Sequence, residues 1–597
     1  MEKQLRTATS NGETLVVQKL LRDNPSMDIN QFNPENTDNP LTLACWKGHV
    51  EIVKLLLNDD RIDINVVDSD GLGPLHLAFQ EKRIQIAKLL LSDERTNLQF
   101  QSQQEGSLTP FQFACFYSRR ESIELVNEMK GKELTKRDRT LMKFVRLCFN
   151  KDIDVEKVME KYFQKRKINV NEMLLIGCSS GNLKVVQTIL SSGGPEVNLN
   201  FGFWKEISPF YVACRENRIE VVSFLINLKG VDVNKKTILG ASPFYVTCQN
   251  GHTEVIKLML QDQRVDVNCS IKDGATPFYI SCWNEHIEIV KLLLNDQRTE
   301  VNKTKEGGFS PFYIACQRGL VEIVKLLLAN PRVDINLSNK NDATPLFIAC
   351  QLGQLEVLKL LLNDKRVDIH KRTKLGATPF FIACQNGYFE IVKLLAELEI
   401  DVNQPLNSGQ CPLYTACSGN HVQVTKFLLS DPRINVNCST QNGGTPISIA
   451  SQFGHFEIVK LLLDDKRVDV NIQRETYGAT PFFLACFEGH LQTVKLFLAS
   501  ERDVDVFRVC TYLSRDAYDQ TIFNLAEAYQ YPGEKEEIFL ERQENFSKII
   551  NLLDKYKSDK QATQFLLRKE FGVLEKAASQ IFCTIVLLCM KLDGEKV

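Results

Sequence analysis

Two apolar-rich runs separated by a short break recur along this chain about every 34 residues. In one copy they are Pro277–Cys282 and Ile287–Leu294, with the segment 283–286 between them. Thr276 can cap a helix with its hydroxyl, and Pro277 suits the first helical position, where a missing N–H costs nothing. The pattern therefore predicts two short helices in each copy, the first beginning at the proline.

The prolines that open the copies set the period. They stand at positions 40, 74, 110, 209, 243, 277, 311, 345, 379, 412, 446 and 481. Every interval from Pro209 to Pro379 is 34 residues, and the later intervals are 33, 34 and 35. Such a period is typical of stacked repeats, because one helix pair cannot bury its apolar side alone.

The end of the first helix and the width of the second also favour stacking. Several copies have a glycine eight residues after the proline, where a helix end often needs a positive φ. These glycines are Gly251, Gly319, Gly387, Gly454 and Gly489. The apolar face of the second helix is wider than that of a helix with only one buried side. This width suits a helix packed between two neighbouring repeats. A polar arm then returns through a turn to the next proline.

The unit resembles the ankyrin repeat, whose signature in this region is Thr-Pro-Leu-His-x-Ala. The run Gly73–Ala78 matches it almost letter for letter, and Thr445-Pro446, Thr480-Pro481 and the Asp-Val-Asn at 266–268 and 469–471 match other parts. The resemblance implies an all-α solenoid of helix-turn-helix units with projecting hairpin loops. Two features depart from the family. An Asp-x-Arg linker lengthens the period to 34, and most units have Tyr or Phe in place of the histidine.

The pattern divides the chain into four parts. These are N-terminal repeats over 1–127, an irregular basic segment with a decayed repeat near Leu141–Tyr162 over 128–170, a main array over 171–506, and a degenerate last repeat with a helical C-terminal cap over 507–597. Degenerate units are expected at Leu5–Asn30 and Glu172–Asn198, and the last repeat at Thr521–Ala526. Helical patterns at Glu536–Tyr556 and Gln561–Leu592 predict the cap that such arrays require.

Composition narrows the class of partner. The 72 basic and 74 acidic residues nearly balance, so no attraction to nucleic acid or anionic lipid is expected. Met1–Arg6 does not resemble a secretory signal, and the apolar stretch Ile581–Met590 is too short to cross a bilayer. We therefore expect a cytoplasmic protein, with the nucleus as the alternative, and no membrane insertion.

Catalysis is not expected. The chain has no Gly-rich phosphate loop, His-Glu-x-x-His motif or nucleophile elbow, and the tail is too short for a typical catalytic domain. We predict no catalytic residues, no cofactor and no small-molecule substrate.

Two rows of metal-binding residue types are interpreted as structural. Cysteines recur at one slot of the first helix: Cys45, Cys115, Cys178, Cys214, Cys248, Cys282, Cys316, Cys350, Cys384, Cys417 and Cys486. Stacked helices hold equivalent slots roughly 8–10 Å apart, too far for disulfides, and no Cys-x-x-Cys pair exists. Histidines follow the helix-ending position at His49, His252, His286, His421, His455 and His490, and we expect each to satisfy backbone groups of its own interhelix turn. No metal site is predicted.

Charged residues form a further row along the arms. Arginines at 61, 264, 298, 332, 366, 433 and 467 stand two residues before Asp63, Asp266, Glu300, Asp334, Asp368 and Asp469 in most copies. We expect surface networks between them, each exposed pair contributing about 0–1 kcal/mol.

An aromatic row is the candidate contact surface. Its members are Tyr211, Tyr245, Tyr279, Tyr313, Phe347, Phe381, Tyr414 and Phe483. One interpretation is a groove for a partner, because aromatic residues are enriched at binding hot spots. The other is rigid packing between repeats.

The resemblance also implies a modification. Asn268, Asn302 and Asn471 look like the ankyrin positions that asparaginyl hydroxylases modify. The alternative is that each asparagine simply closes a turn through its side-chain amide.

These observations together predict a non-enzymatic scaffold or adaptor that binds other proteins on its groove and hairpin tips. The alternatives are an elastic or spacing element, and an adaptor subunit of a larger complex such as a ubiquitin ligase.

Overall fold

The first helix of each repeat begins at a proline that follows a capping side chain. Ser242 Oγ accepts a hydrogen bond from the Tyr245 N–H at 3.1 Å, and Pro243 occupies the first helical position. The helix ends at Gly251, with φ +76°. A side chain there would also collide, since an added Cβ would lie 2.8 Å from the His286 ring of the next repeat. The predicted start and end of the first helix are confirmed.

A computed structural model describes residues 2–30, 39–68, 71–98, 108–116, 120–130, 134–149, 169–192, 196–203, 206–474, 478–506, 508 and 536–571. Its regular elements in these ranges are helices, numbered here in chain order. The first seventeen are α1 (Glu2–Asn11), α2 (Thr14–Asp23), α3 (Pro40–Lys47), α4 (Val50–Leu57), α5 (Pro74–Gln80), α6 (Ile84–Ser92), α7 (Pro110–Phe116), α8 (Arg120–Lys130), α9 (Lys136–Phe149), α10 (Val170–Ser180), α11 (Leu183–Ser192), α12 (Pro209–Arg215), α13 (Ile219–Ile226), α14 (Pro243–Asn250), α15 (Thr253–Leu260), α16 (Pro277–Trp283) and α17 (Ile287–Asn295).

The remaining helices belong to the second half of the chain. They are α18 (Pro311–Arg318), α19 (Val321–Ala329), α20 (Pro345–Gln351), α21 (Leu355–Leu362), α22 (Pro379–Asn386), α23 (Phe389–Ala396), α24 (Pro412–Ser418), α25 (Val422–Ser430), α26 (Pro446–Gln452), α27 (Phe456–Asp464), α28 (Pro481–Phe487), α29 (Leu491–Ala499), α30 (Glu536–Ser558) and α31 (Lys560–Glu570).

The chain forms two compact units, Met1–Glu306 (unit 1) and Gly307–Val597 (unit 2). Inside each unit the first helix of a pair packs on the first helix of the next pair, and second helices pack likewise. On the second helix α17, Ile289, Val290 and Leu293 are buried. This stacking within each unit confirms the predicted all-α repeat architecture. The predicted four-part division of the chain stays a prediction.

The basic segment 128–170 contributes one helix to the stack. α9 packs against the first helices α7 and α10, so it occupies the place of a first helix. Its Cys148 is buried, and the Cys148 carbonyl oxygen accepts a hydrogen bond from Asn182 Nδ2 at 3.1 Å. The rest of the decayed repeat expected near Leu141–Tyr162 lies outside the described residues, as does the repeat expected at Thr521–Ala526.

Hairpins project between successive repeats and contact one another at their tips. The Thr237 N–H donates to the Ala241 carbonyl at 2.9 Å, which closes one hairpin. The Lys272 N–H of the next hairpin donates to Leu239 O at 3.4 Å. In unit 2, the Gln441 N–H makes the matching contact with Ser408 O at 3.1 Å. The tips thus form a ladder of single backbone hydrogen bonds within each unit.

Two C-terminal helices cover the last described helix pair. Lys495 Nζ lies 2.7 Å from Glu570 Oε1, and Arg568 Nε donates to Ala499 O at 3.0 Å. Phe546 of α30 is buried and lies where a Cβ on Gly489 would meet it at 3.0 Å. The Phe546 ring therefore covers the helix-ending Gly489. In other repeats a side chain of the next repeat covers the corresponding glycine. The predicted helical cap is confirmed for α30 and α31, and the predicted helix beyond residue 571 lies outside the described residues.

Candidate functional site

The aromatic row lies mainly inside the stack. Seven of its side chains are buried and Tyr414 is half-buried. The buried members are Tyr211, Tyr245, Tyr279, Tyr313, Phe347, Phe381 and Phe483. This burial favours rigid packing between repeats over an open aromatic groove. Contact of the row with a partner stays a prediction.

The row has the position that His76 has in its own repeat, three residues after the cap. His76 Nδ1 accepts from the Gly73 N–H at 3.2 Å, so Nε2 carries the proton and donates to Leu108 O of the next repeat at 2.9 Å. Tyr313 accepts at its hydroxyl from Asn339 Nδ2 at 3.2 Å, and burial raises the pKa of Tyr313 to about 12. The aromatic residues thus replace a histidine bridge with a buried ring.

An open cleft of about 860 Å³ lies within unit 1, between two groups of first helices. One wall comes from α3 and α5, and the other from α12, α14 and the hairpin at Thr237–Ala241. Trp46 on the first wall is 44% exposed, and Leu239 on the second is 53% exposed. Tyr211 and Tyr245 of the aromatic row also line the cleft. Two members of the row therefore line the same cleft as the accessible side chains of Trp46 and Leu239.

Charged groups of both signs line this cleft. They are Asp68, Glu81, Lys82, Arg215 and Glu216. Arg215 Nε lies 3.0 Å from Glu216 Oε1, and the exposed fractions of the two side chains are only 15% and 9%. Lys82 is exposed. The cleft therefore offers an apolar aromatic face beside hydrogen-bonding groups, without a strong excess of either charge.

The repeated cysteines are core residues. All eleven are buried, and burial raises the pKa of Cys417 to about 12, so its sulfur stays a protonated thiol. The prediction that this row is structural is confirmed. Among the described residues, no group of three or more His, Cys, Asp or Glu side chains is arranged to hold a metal ion.

The sequence pattern did not predict the disulfide that joins Cys411 to Cys438. Both cysteines lie outside the repeated slot. The signal that was available is Cys411 itself, which replaces the Ser or Thr that caps the first helix in most other repeats.

The histidine row connects neighbouring repeats. His286 Nε2 lies 3.0 Å from Gln249 O, and His421 Nε2 lies 2.8 Å from Gln385 O. The prediction that each histidine satisfies its own turn is wrong, because each ring reaches the first helix of the preceding repeat.

The arginine row also reaches the preceding repeat. Arg366 pairs with Asp364 Oδ2 at 2.6 Å, and its Nη2 donates to Leu328 O at the end of the preceding second helix. The predicted pairing with Asp368 is wrong. Asp368 Oδ1 instead accepts the His370 N–H at 2.9 Å, which closes the turn of the arm.

The asparagines proposed for hydroxylation tie successive arms together. Asn268 Nδ2 donates to Arg298 O at 2.7 Å, and its Oδ1 accepts the Glu300 N–H at 2.8 Å. Asn471 makes the same two contacts with the following arm. Asn302 is half-buried at the matching position. These contacts favour a structural role for the amide, and hydroxylation stays a prediction.

Capped helix pairs joined through side chains to the backbone of the next pair define a stacked helical repeat protein. A family model described as ankyrin repeats (3 copies) matches residues 5–103, 210–305, 297–374, 364–438 and 432–508. The chain belongs to the ankyrin-repeat family. Ankyrin repeats are generally protein–protein interaction modules, and the family is typically non-enzymatic. A search among curated proteins finds no match.

No helix in the described ranges combines the length and the apolar character needed to span a bilayer.

Proposed function

We propose that this protein is a non-enzymatic scaffold or adaptor that holds a protein partner in the cleft of unit 1 and against the adjoining hairpin tips. The cleft carries the proposal, because Trp46 and Leu239 expose large apolar surface on its two walls. Tryptophan is strongly enriched among residues that dominate binding energy. The nearby Lys82 and Gln249 supply polar groups that fix the orientation of a polypeptide.

Rigidity supports binding at this cleft. His252 Nε2 contacts Arg215 O at 2.8 Å, and Asn250 Nδ2 donates to the same oxygen at 3.2 Å. These bonds hold α12 and α14, which form one wall, in a fixed arrangement. A partner therefore meets a surface that loses little conformational entropy on binding.

Replacement of Trp46 tests the proposal. The full chain, immobilised, is expected to capture specific proteins from an extract of its own cells, and Trp46→Glu is expected to reduce that capture at least tenfold. The reason is that the substitution removes the exposed indole ring from the cleft wall and puts a charged carboxylate in its place. Quantitative mass spectrometry of the captured proteins gives the measurement.

Trp283→Glu is the matched control. Trp283 has the same position in its first helix, is 41% exposed, and does not line the cleft. This variant is expected to keep the captured proteins. If both variants capture the same amounts of protein as the unaltered chain, the cleft is not the binding site. This conclusion requires that circular dichroism shows the same melting curve for all three.

A spacing element is the second candidate, favoured by the side-chain bridges that stiffen successive repeats. Such an element needs length rather than a particular surface. A cytoplasmic location, with the nucleus as the alternative, is part of the proposal, supported by the thirteen described cysteines that are free thiols against one pair joined as a disulfide.

A further inference from the structure

Cys411 and Cys438 lie together in one repeat of unit 2. Their Cα atoms are 6.5 Å apart and their sulfurs are joined, across a sequence separation of 27 residues. This Cα distance falls in the range of roughly 4.4–6.8 Å that disulfides adopt. The closed loop contains the complete helix pair α24 and α25.

The fold of a repeat does not require this pair. Cys411 Sγ accepts the Tyr414 N–H at 3.3 Å, as Ser310 Oγ accepts the Tyr313 N–H at 3.0 Å in another repeat of unit 2. A hydroxyl therefore makes the same cap. In unit 1, Cys269 follows an Asp-Val-Asn arm as Cys438 follows Asn-Val-Asn, but that repeat has Ser242 as its cap.

The two cysteines differ in exposure. Cys411 is 2% exposed, whereas Cys438 is only half-buried. An oxidant in solution therefore reaches Cys438 first, and Cys411 is placed to react with whatever forms there. This order is the arrangement of an attacking and a resolving cysteine.

We propose that Cys411 and Cys438 form a reversible redox lock that glutathione disulfide closes and a dithiol reopens. The Cys438 thiolate attacks one sulfur of glutathione disulfide, forming a mixed disulfide and releasing one glutathione thiolate. The Cys411 thiolate then attacks Cys438 Sγ and releases the second glutathione. Both protein thiols are oxidised and lose their protons, and one glutathione disulfide is reduced to two glutathione molecules.

The lock acts on the arm that leads to a hairpin tip. Ser439–Gly444 follows Cys438 directly, and the Gln441 N–H of this hairpin donates to Ser408 O of the preceding tip. With the disulfide closed, α24 and α25 can unfold only as a loop whose two ends stay joined. For a loop of this length, local opening is expected to become rarer by roughly 400-fold. The inference does not depend on the proposed function.

Peptide mass spectrometry of the full chain tests the chemistry. The protein is reduced with a dithiol, treated with glutathione disulfide and digested without reduction. We expect a linked pair of peptides containing Cys411 and Cys438 that a dithiol separates again. Cys411→Ser is expected to keep the fold and to accumulate a glutathione adduct on Cys438. Recovery of both cysteines as separate thiols or separate adducts in the unaltered protein would overturn the proposal.

Amide hydrogen exchange tests the consequence. Peptides from α24 and α25 are expected to exchange about 400-fold more slowly in the oxidised than in the reduced protein. Cys411→Ser should abolish this difference, and Cys269→Ser, at the matching arm position of unit 1, should leave it intact. Equal exchange in the two redox states of the unaltered protein would refute the lock, even where the linked peptides form.

Discussion

At the scale of single residues, His76 shows how one buried side chain makes a repeat sensitive to acid. Its imidazole is fully buried, and desolvation lowers its pKa to about 4 from the usual 6.5, although the bond to Leu108 O opposes that change. The neutral ring is needed, because Nδ1 accepts from Gly73. The unfolded chain therefore binds a proton at a higher pH than the folded chain does.

This difference predicts a loss of stability as pH falls from about 6.5 to about 4. The contribution of His76 is fully present above pH 6.5, decreases by about 3 kcal/mol across that window, and changes no further below it. Urea unfolding of the protein at several pH values measures the effect.

The matched variant is His76→Gln. Gln112 has the same position in the next repeat, and its Oε1 accepts the Thr109 N–H at 3.4 Å, so a glutamine can replace the neutral imidazole at the cap. The variant should lack the His76 part of the pH dependence. If the protein and the variant lose stability in parallel between pH 6.5 and 4, His76 is not the responsible group.

At the scale of elements, the arms are held by side-chain amides rather than by a continuous sheet. Asn268 satisfies one carbonyl and one N–H of the following arm. The contact with the Arg298 carbonyl is part-buried, and such a group needs a partner because an unsatisfied buried group loses the free energy of its hydration. This explains why the Asp-x-Asn pattern recurs with the helices.

Asn268→Ala is expected to lower the free energy of unfolding of the repeats around it by about 1–2 kcal/mol, since two hydrogen bonds to the next arm are lost. Asn284→Ala is the control, because Asn284 donates one exposed hydrogen bond, to Gln249 O at 2.9 Å, and should change stability by less than about 0.5 kcal/mol. Urea midpoints of the two variants give the comparison. Equal midpoints would mean that the amide bridge adds nothing to the stack.

The same elements show what a sequence can predict. Helix starts are local, since Thr276 and Pro277 specify cap and first turn within a few residues, and they were predicted correctly. The ion-pair partner of Arg366 could not be predicted in the same way, because Asp364 and Asp368 are equally distant from it along the chain. Only the folded turn, in which Asp364 also accepts the Arg366 N–H at 3.0 Å, decides between them.

At the scale of the whole molecule, the candidate site depends on contacts that no repeat contains. The cleft brings Trp46 near Tyr211, although more than 150 residues separate them in the chain. The path between them runs through α9, whose buried Asp138 accepts from Gln112 Nε2 at 3.0 Å. This helix lacks the repeat signature, so the pattern that predicted the stack could not predict where its walls face each other.

Deletion of whole repeats separates a scaffold from a spacer. Removing residues 208–241 joins Ile207 to Ser242, and removing 344–377 joins Ala343 to Thr378. Each deletion takes out one 34-residue period and preserves the cap of the next helix, so both chains are expected to fold with the same helical circular dichroism per residue. The first removes Arg215, Glu216 and Leu239 from the cleft, and the second leaves unit 1 unaltered. We expect the first deletion to reduce partner capture at least tenfold and the second to preserve it. A spacer would lose the same length in both cases, so equal capture by the two deletions would favour that function over the scaffold.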